Sequence, residues 1–563
     1  MIKKFRIELI IALAAALLFI PFLGAVHLFD WDEINFAECA REMFINQDFG
    51  RVYINFLPFW EKPPFFFWLQ VASMHAFGIN DFAARFPNAI CGIITLVLVF
   101  RTGRKLYNTQ FGILWALAFG GSVLPHLYFH SGIIDPWFNL LIFTGILYFS
   151  SYFNLKTAYN SSSGNPILAI SLSGLFLGLA LITKGPAALA IFGMTIGIHW
   201  VFNRFKLYFS FIEILVFILS LSVFSMGWGL YEYARNGPWF MVEFITYNIR
   251  LFSTPDAGHG GFPGYHFAVL LLGCFPGSLF FIQSHFNKTT ENTQQKQFRL
   301  IMIILFWVVL ILFSIVKSKI VHYSSMCYFP LTFGAALSMH HWINSGQKIS
   351  AWMRYLITTI GGILGIVVLI FPYVGSHPEI LRPLLSKDPF ALANLDTEIH
   401  WDGWEWMVGI FILGVIVAFV LLSGKKENQK AIFTLFGGTA FMVVFILWAL
   451  IGRIEAFSQG TVIDFFESLA GKDCYVLTYN YRSYAHYYYP RLQPENKPIL
   501  KYPDKMSESL DFWRDSLLRN PTKKDVFIIT KINRKEGLDQ YKELKPVWEK
   551  NGWSVWKKEK SLY

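Results

Sequence analysis

The chain has 563 residues, 54% of them hydrophobic and 18% aromatic, with only 15% charged, whereas a soluble globular chain is about half apolar and about a quarter charged. That balance excludes an ordinary soluble domain and assigns the chain to a bilayer. The net charge of +11 calls for no nucleic acid, because lysine and arginine in membrane proteins gather in cytoplasmic loops. The five cysteines, of which only Cys39 and Cys474 fall in polar regions, imply no disulfide framework.

The N-terminus, basic from Lys3 to Arg6 and then apolar, resembles a signal peptide but has no small-residue cleavage site before His27, so it reads as an uncleaved first span. Apolar stretches long enough to cross a hydrocarbon core of roughly 30 Å follow. The expected spans are 8–26, 83–100, 111–128, 137–153, 166–182, 187–203, 209–228, 264–284, 300–316, 323–342, 355–372, 405–423 and 431–452, thirteen in all. The apolar segment 63–77 is short for a crossing and is assigned to a helix lying at the interface. With the N-terminus inside, the inner loops collect Lys3, Lys4, Arg101, Arg104, Lys105, Arg204, Lys206, Lys425, Lys426 and others, and their basic density is roughly threefold that of the outer loops, as orientation requires. The stretch 160–165, rich in serine and asparagine, reads as a linker in an inner loop.

An odd number of crossings puts the C-terminal region outside, in the periplasm of a cell with two membranes. From Arg453 the chain turns charged and tyrosine-rich. The expected organisation is a membrane domain over 1–452, with a first outer loop at 27–82, followed by a soluble domain over 453–563. In the tail, Cys474–Tyr479 and Asp525–Thr530 read as buried strands with a helical pattern around Ser507–Leu518 between them, which predicts a small α/β domain. The fold class is therefore a polytopic α-helical membrane protein with a small α/β domain at its C-terminus.

Ionisable groups beside membrane spans are costly and are functional candidates. Here they share the outer face: Asp32, Glu33, Glu38, Arg41 and Glu42 with Glu61 and Lys62 in the first outer loop, Asp135 after span three, Lys184 after span five, Arg250 and His259 in the loop after span seven, and Lys317, Lys319 and His322 after span nine. A transporter would more often carry charges near the midplane and matching broken helices. Each group also has a plainer reading. Asp32 suits a helix cap, Lys184, Lys319 and His322 suit interfacial anchors, and Glu38 with Arg41 suits a solvated helix pair. Pro63 and Pro64 hold Lys62 in an extended segment, which fits a fixed phosphate ligand. The Phe65–Trp68 run is placed to line a groove for a lipid chain or to pack as core.

The ordered set Asp32-Glu33, Ala37-Glu38, Ala40-Arg41-Glu42-Met43, Glu61-Lys62-Pro63-Pro64, Asp135-Pro136 and Leu181-Ile182-Thr183-Lys184-Gly185-Pro186 resembles the bacterial branch of the GT-C glycosyltransferases. That branch includes the aminoarabinose transferases that modify lipid A and relatives of the dolichyl-phosphate-mannose protein mannosyltransferases. The resemblance implies thirteen spans, interfacial helices in the first outer loop and a periplasmic C-terminal domain. It also implies a catalytic centre at Asp32 with Glu33 beside it, Asp135 as the second acidic motif, and a carrier phosphate held by Lys62 and Arg250. Asn35 departs from the family, which often has arginine there.

The expected activity is inverting transfer of a sugar from a polyprenyl-phosphate carrier, undecaprenyl phosphate, to a lipid A, glycan or protein acceptor. Asp32 is the expected general base, with Lys184 and Lys319 as further donor-binding candidates. Glu61, His259 and His322 are candidates for acceptor or metal binding. No cofactor is required, and a divalent metal stays open on the weak ground of a carboxylate and a histidine far apart in sequence. The Tyr481–Tyr489 run suits either sugar stacking or packing against the sheet.

Overall fold

The computed structural model describes residues 6–157, 164–254, 260–286, 290–501 and 506–561. His259, and the 160–165 linker apart from its last two residues, lie outside the described residues.

Helix α1 (Arg6–Phe19) precedes a polar segment that carries α2 (Asp32–Asn46), the small hairpin of β1 (Tyr53–Ile54) and β2 (Leu57–Pro58), and α3 (Phe65–Phe77). There follow α4 (Asp81–Leu106), α5 (Thr109–Gly120), α6 (Val123–Leu127), α7 (Asp135–Lys156), α8 (Pro166–Lys184), α9 (Ala187–Phe202), α10 (Phe211–Asn236) and α11 (Trp239–Ser253). Next come α12 (Tyr265–Gly273), α13 (Gly277–Ser284), α14 (Thr293–Ile315), α15 (Tyr328–Ser345), α16 (Ala351–Ser376), the short α17 (Arg382–Leu385) and α18 (Pro389–Asn394), α19 (Met407–Gly424) and α20 (Asn428–Ala449). The starts are chemically marked. Asn80 and Asn108 accept from backbone N–H groups three residues on, and Ser210 with Glu213 and Asn292 with Gln295 form reciprocal capping boxes, each satisfying donors that a helix N-terminus leaves open.

Among the described residues, eight helices (α4, α7, α8, α10, α14, α16, α19 and α20) are long and apolar enough to cross a membrane, and two bent pairs bring the number up to ten. The chain is a multi-pass membrane protein. Every expected span falls on a helix or a bent pair, but three, on α1, α9 and α15, fall outside that set. Helix α1 ends at Phe19, well short of residue 26, and α9 has 16 residues, about 24 Å of rise against a core of roughly 30 Å. Helix α3, with 13 residues, is shorter still and is not a crossing.

Two expected straight spans are in fact sharply bent, by 81° between α5 and the 123–130 segment and by 107° between α12 and α13. The first break falls at Gly121-Ser122, where a Cβ on Gly121 would meet the Phe436 and Leu117 carbonyl oxygens. The second falls before Pro276, which lacks an N–H to continue the ladder. Val123 N donates to Phe275 O at 3.0 Å, so the two breaks satisfy each other's open backbone groups, the condition for irregular backbone inside a membrane protein.

Beyond α21 (Ile451–Glu455) and α22 (Thr461–Ser468), strand β3 (Cys474–Thr478), helices α23 (Ala485–Tyr488) and α24 (Met506–Arg519), and strands β4 (Asp525–Lys531), β5 (Lys545–Lys550) and β6 (Trp553–Lys558) build a four-stranded sheet of order β3-β4-β6-β5. Strands β3 and β4 pair in parallel across α24, and the other pairs are antiparallel. Strands β5 and β6 go beyond the sequence reading. They form a hairpin on Asn551-Gly552, both at positive φ (49° and 79°), the turn geometry that matches strand twist.

The segments around this sheet are tied to α2 and to the residues just before it. Tyr489 Oη accepts from Leu28 N at 2.7 Å, Gln459 Nε2 donates to Leu28 O at 2.8 Å, Arg41 donates to Leu492 O at 2.9 Å, and His27 pairs with Glu455 at 2.6 Å. Burial lowers the His27 pKa, but the Glu455 hydrogen bond and charge outweigh it and raise it to about 9 from the usual 6.5. A value raised in the folded state contributes stability that is complete below pH 6.5 and lost as pH rises through 9. Thermal unfolding is expected to show a falling Tm across that window, flattened in H27Q. A wild-type Tm that does not change between those limits would contradict the assignment.

Candidate active site

Asp32 opens α2 and Asp135 opens α7, so both carboxylates sit at helix N-termini, where unpaired N–H groups and the dipole favour negative charge. Trp31 takes the N-cap position without a side-chain bond. Asp32 is thus not a cap, and its Oδ2 lies 3.3 Å from His322 Nε2. The same nitrogen is 3.7 Å from Asp135 Oδ2, and Asp135 Oδ1 accepts from Lys184 Nζ at 2.6 Å. Two acids and two bases alternate along this chain of contacts.

Lys184 is delivered by the end of α8. Gly185 stands at φ 109°, a region that favours glycine, and a Cβ there would run into the Phe244 ring. Pro186 then starts the next helix. The ammonium so placed is bonded to Asp135 rather than extended to an interface. Arg250 was expected in a loop; it lies in the last turn of α11, where a cation complements the helix C-terminus. Tyr247, one turn earlier, joins the two donor-binding cations. Its hydroxyl accepts from Lys62 Nζ at 3.0 Å, and Lys62 Nζ and the Arg250 guanidinium lie 4.4 and 5.3 Å from its ring centre.

Asp32, Glu61, Lys62, Asp135, Lys184, Arg250 and His322 line one cavity of about 360 Å³. Its other walls are apolar, with Phe138 and Ile191 from α7 and α9 and Leu312 and Phe313 from α14. Burial pushes the Asp32 carboxyl up, but the His322 hydrogen bond and charge, with Lys62 and Lys184, hold it below its usual value. Among the described residues, no group of three or more His, Cys, Asp or Glu is arranged to hold a metal, and His259 lies outside them.

Two expected site residues point elsewhere. Glu33 is buried and bonded to Arg85, with Nε–Oε1 at 3.1 Å and Nη2–Oε2 at 2.9 Å, and it also accepts from Phe29 N and Gly132 N. Its neighbour reaches the cavity, whereas Glu33, on the other side of the same helix start, holds the frame. Lys319 donates to the carbonyls of Phe313, Ser314 and Val316 at 2.9, 2.7 and 2.6 Å, satisfying open acceptors at the end of α14, and does not line the cavity. The aromatic run of α3 packs as core: Phe66 and Phe67 are fully buried against the Phe36 ring at 6.2 and 5.9 Å.

The sequence reading missed Tyr247, Asn139, Tyr323, Arg482 and Tyr484, all of which line the cavity. Tyr247 had a usable signal, three residues before Arg250 on one helix face. Arg482 and Tyr484 come from the C-terminal domain, and only the Tyr481–Tyr489 run flagged them. Within that run, Tyr488 and Tyr489 are buried packing residues.

Residues 61–228 match the dolichyl-phosphate-mannose-protein mannosyltransferase family, a span that contains Lys62, Asp135 and Lys184 but not Asp32. A protein of Photorhabdus laumondii named undecaprenyl phosphate-alpha-4-amino-4-deoxy-L-arabinose arabinosyl transferase is 24% identical over 70% of this chain and 72% of its own length. A Pectobacterium carotovorum protein of the same name is 26% identical over 76% and 72%. The crystal structure of ArnT from Cupriavidus metallidurans bound to undecaprenyl phosphate superposes with a TM-score of 0.73 over 98% of both chains at 16% identity, and its apo form with 0.74 over 98% and 97% at 16%, a likeness of fold. The chain is thus similar over residues 61–228 to the protein mannosyltransferase family, over most of its length to the aminoarabinose transferases, and in its fold to ArnT.

Proposed function

We propose that the chain moves a pentose, 4-amino-4-deoxy-L-arabinose or a close analogue, from undecaprenyl phosphate to lipid A or another envelope glycolipid. The observation that carries this reading is the single cavity in which the Asp32 carboxylate faces His322, with Lys62, Lys184 and Arg250 on the same walls. The matched relatives are transferases named for undecaprenyl phosphate as carrier, which favours the same donor here and sets the transporter reading aside. A protein acceptor, suggested by the family description, is the second reading.

In the proposed reaction, an acceptor hydroxyl or amine gives its proton to the Asp32 carboxylate as its oxygen or nitrogen bonds to the anomeric carbon. The bond from that carbon to the carrier phosphate breaks, and its electron pair leaves with undecaprenyl phosphate. Displacement on one face inverts the centre. Asp32 also favours the oxocarbenium character of the transition state. Lys62 and Arg250 receive the growing phosphate charge, which replaces a general acid. His322 orients Asp32, and Lys184 holds Asp135 in place beside it. The chain sits in the inner membrane with this cavity and a soluble domain, residues 453–563, on the periplasmic side of a membrane domain over 1–452.

Asp32→Asn is expected to lower kcat by about a hundredfold or more while undecaprenyl phosphate still binds. Near-normal turnover by a folded variant would remove the general base. Because the Asp32 pKa is held below 3.8, it stays ionised at neutral pH, and kcat/KM is expected to show no acid limb from this group until below about pH 4. Lys184→Met strands a buried carboxylate and is expected to cost about 3–5 kcal/mol. Adding Asp135→Asn should recover part of that loss, which a double-mutant cycle of Tm values measures. A phosphatase reporter fused after the last strand should be active only if that domain is periplasmic.

A further inference from the structure

Asp32, Asn35 and Phe36 of α2 line the candidate active-site cavity together. Residues three and four apart share a helix face, so Asn35 stands about one turn along α2 from the proposed base. It is only 4% exposed. Among the described residues its side chain has one hydrogen-bond partner, Cys39 Sγ, which lies a turn further on and 3.5 Å from Asn35 Oδ1. Burial, with the charges of Glu42 and Glu38, pushes the Cys39 thiol well above its ordinary value, so the sulfur keeps its proton and is the donor. The orientation of an amide is read from the bonds it makes. Here the oxygen is spent on Cys39, and Nδ2 is the edge left for the cavity.

A donor taken out of water without an acceptor carries its desolvation cost, and a bound ligand is what removes it. The amide is neutral, whereas the charge that a phosphate needs is already supplied by Lys62 and Arg250 on the Tyr247 side of the cavity. In the proposed displacement the anomeric carbon lies between that phosphate and the group attacking from Asp32. The sugar ring therefore lies beside Asp32, and Asn35 flanks it one turn along the same helix. An amide nitrogen donates and requires an acceptor. A ring hydroxyl oxygen is one; a protonated sugar amine is not.

We propose that Asn35 is a specificity-determining residue for the transferred sugar: its Nδ2 donates to a ring hydroxyl at C2 or C3, and Cys39 is a positioning residue that holds the amide in that orientation. This rests on the transferase reading above. The test uses the full chain in nanodiscs with lipid A as acceptor and three donors: undecaprenyl phosphate-linked 4-amino-4-deoxy-L-arabinose and its 2-deoxy and 3-deoxy forms. Wild-type kcat/KM is expected to fall about tenfold with one of the two deoxy donors, because a site built to bond a hydroxyl rejects the analogue lacking it. Asn35→Ala should lose about as much with the parent donor and nothing further with that deoxy donor. Cys39→Ala should show a smaller loss, confined to the same hydroxyl. Binding of undecaprenyl phosphate, measured separately, should stay at the wild-type level in both variants. Losses that multiply for both deoxy donors, or a wild-type kcat/KM in Asn35→Ala with the parent donor, would overturn the proposal. So would a loss of carrier binding, which assigns Asn35 to the phosphate or to folding. Wild-type chain that transfers from none of the three donors defeats the underlying reading, whereas wild-type transfer with no coupling to Asn35 defeats this inference alone.

Discussion

The buried ion pair of Glu33 and Arg85 holds the rest of the site in place. Taking two charges out of water costs several kcal/mol for each ion unless every remaining bond is made, and here the bonds are made to backbone. Arg85 donates to the carbonyls of Leu23, Val26 and His27 at 2.8, 2.7 and 2.9 Å, while Glu33 accepts from Phe29 and Gly132. One pair therefore joins the exit of α1, the start of α2, the body of α4 and the turn that leads into α7. Asp32 is the residue before Glu33, and Asp135 follows Gly132 by three. The pair itself does no chemistry, but the separation of the two site carboxylates depends on it.

Within that frame, acids and cations have different kinds of partner. Asp135 has an ammonium at 2.6 Å, whereas Lys62 and Arg250 lean on the face and hydroxyl of Tyr247. A tyrosine orients a cation without neutralising it, so the Lys62 charge stays available to a phosphate. Bonding Lys62 to a carboxylate would have placed it equally well and weakened it as an anion ligand. The proposed base is treated differently again: buried, and kept ionised by positive charge around it.

The membrane class was legible in the sequence because apolar length is a one-dimensional property, and so was the small sheet, since β3 and β4 are uninterrupted apolar runs. The bends at Gly121 and Pro276 were not legible as bends, because each break is satisfied by the other, some 150 residues away, and nothing local announces that partner. The Asn551-Gly552 hairpin carried its signal openly in the dipeptide. At the site, the motif residues Asp32, Lys62, Asp135 and Lys184 come together in one cavity, but Glu33 and Lys319, equally conspicuous as charges in the chain, turn to structural partners. Sequence position locates a charge near the end of an apolar segment; it does not say which way a helix start turns two adjacent carboxylates. Arg482 and Tyr484 were hidden for the opposite reason, since the bond that ties their loop to the segment before α2, from Tyr484 to Asp30, crosses some 450 residues.

That span also bears on how the molecule is made. A second cavity, of about 1040 Å³, has Asp30 and Trp31 on one side and Trp553 on another, and Gly552, beside that tryptophan, leaves no room for a Cβ against Phe390 and Asn394. During synthesis the helices up to α20 emerge long before β6. The chamber is therefore absent from a nascent chain still on the ribosome, even one whose donor-binding lysines are already in place, and its completion coincides with the pairing of β6 between β4 and β5. Translation order thus delays a finished site until the strands of the C-terminal sheet have left the ribosome.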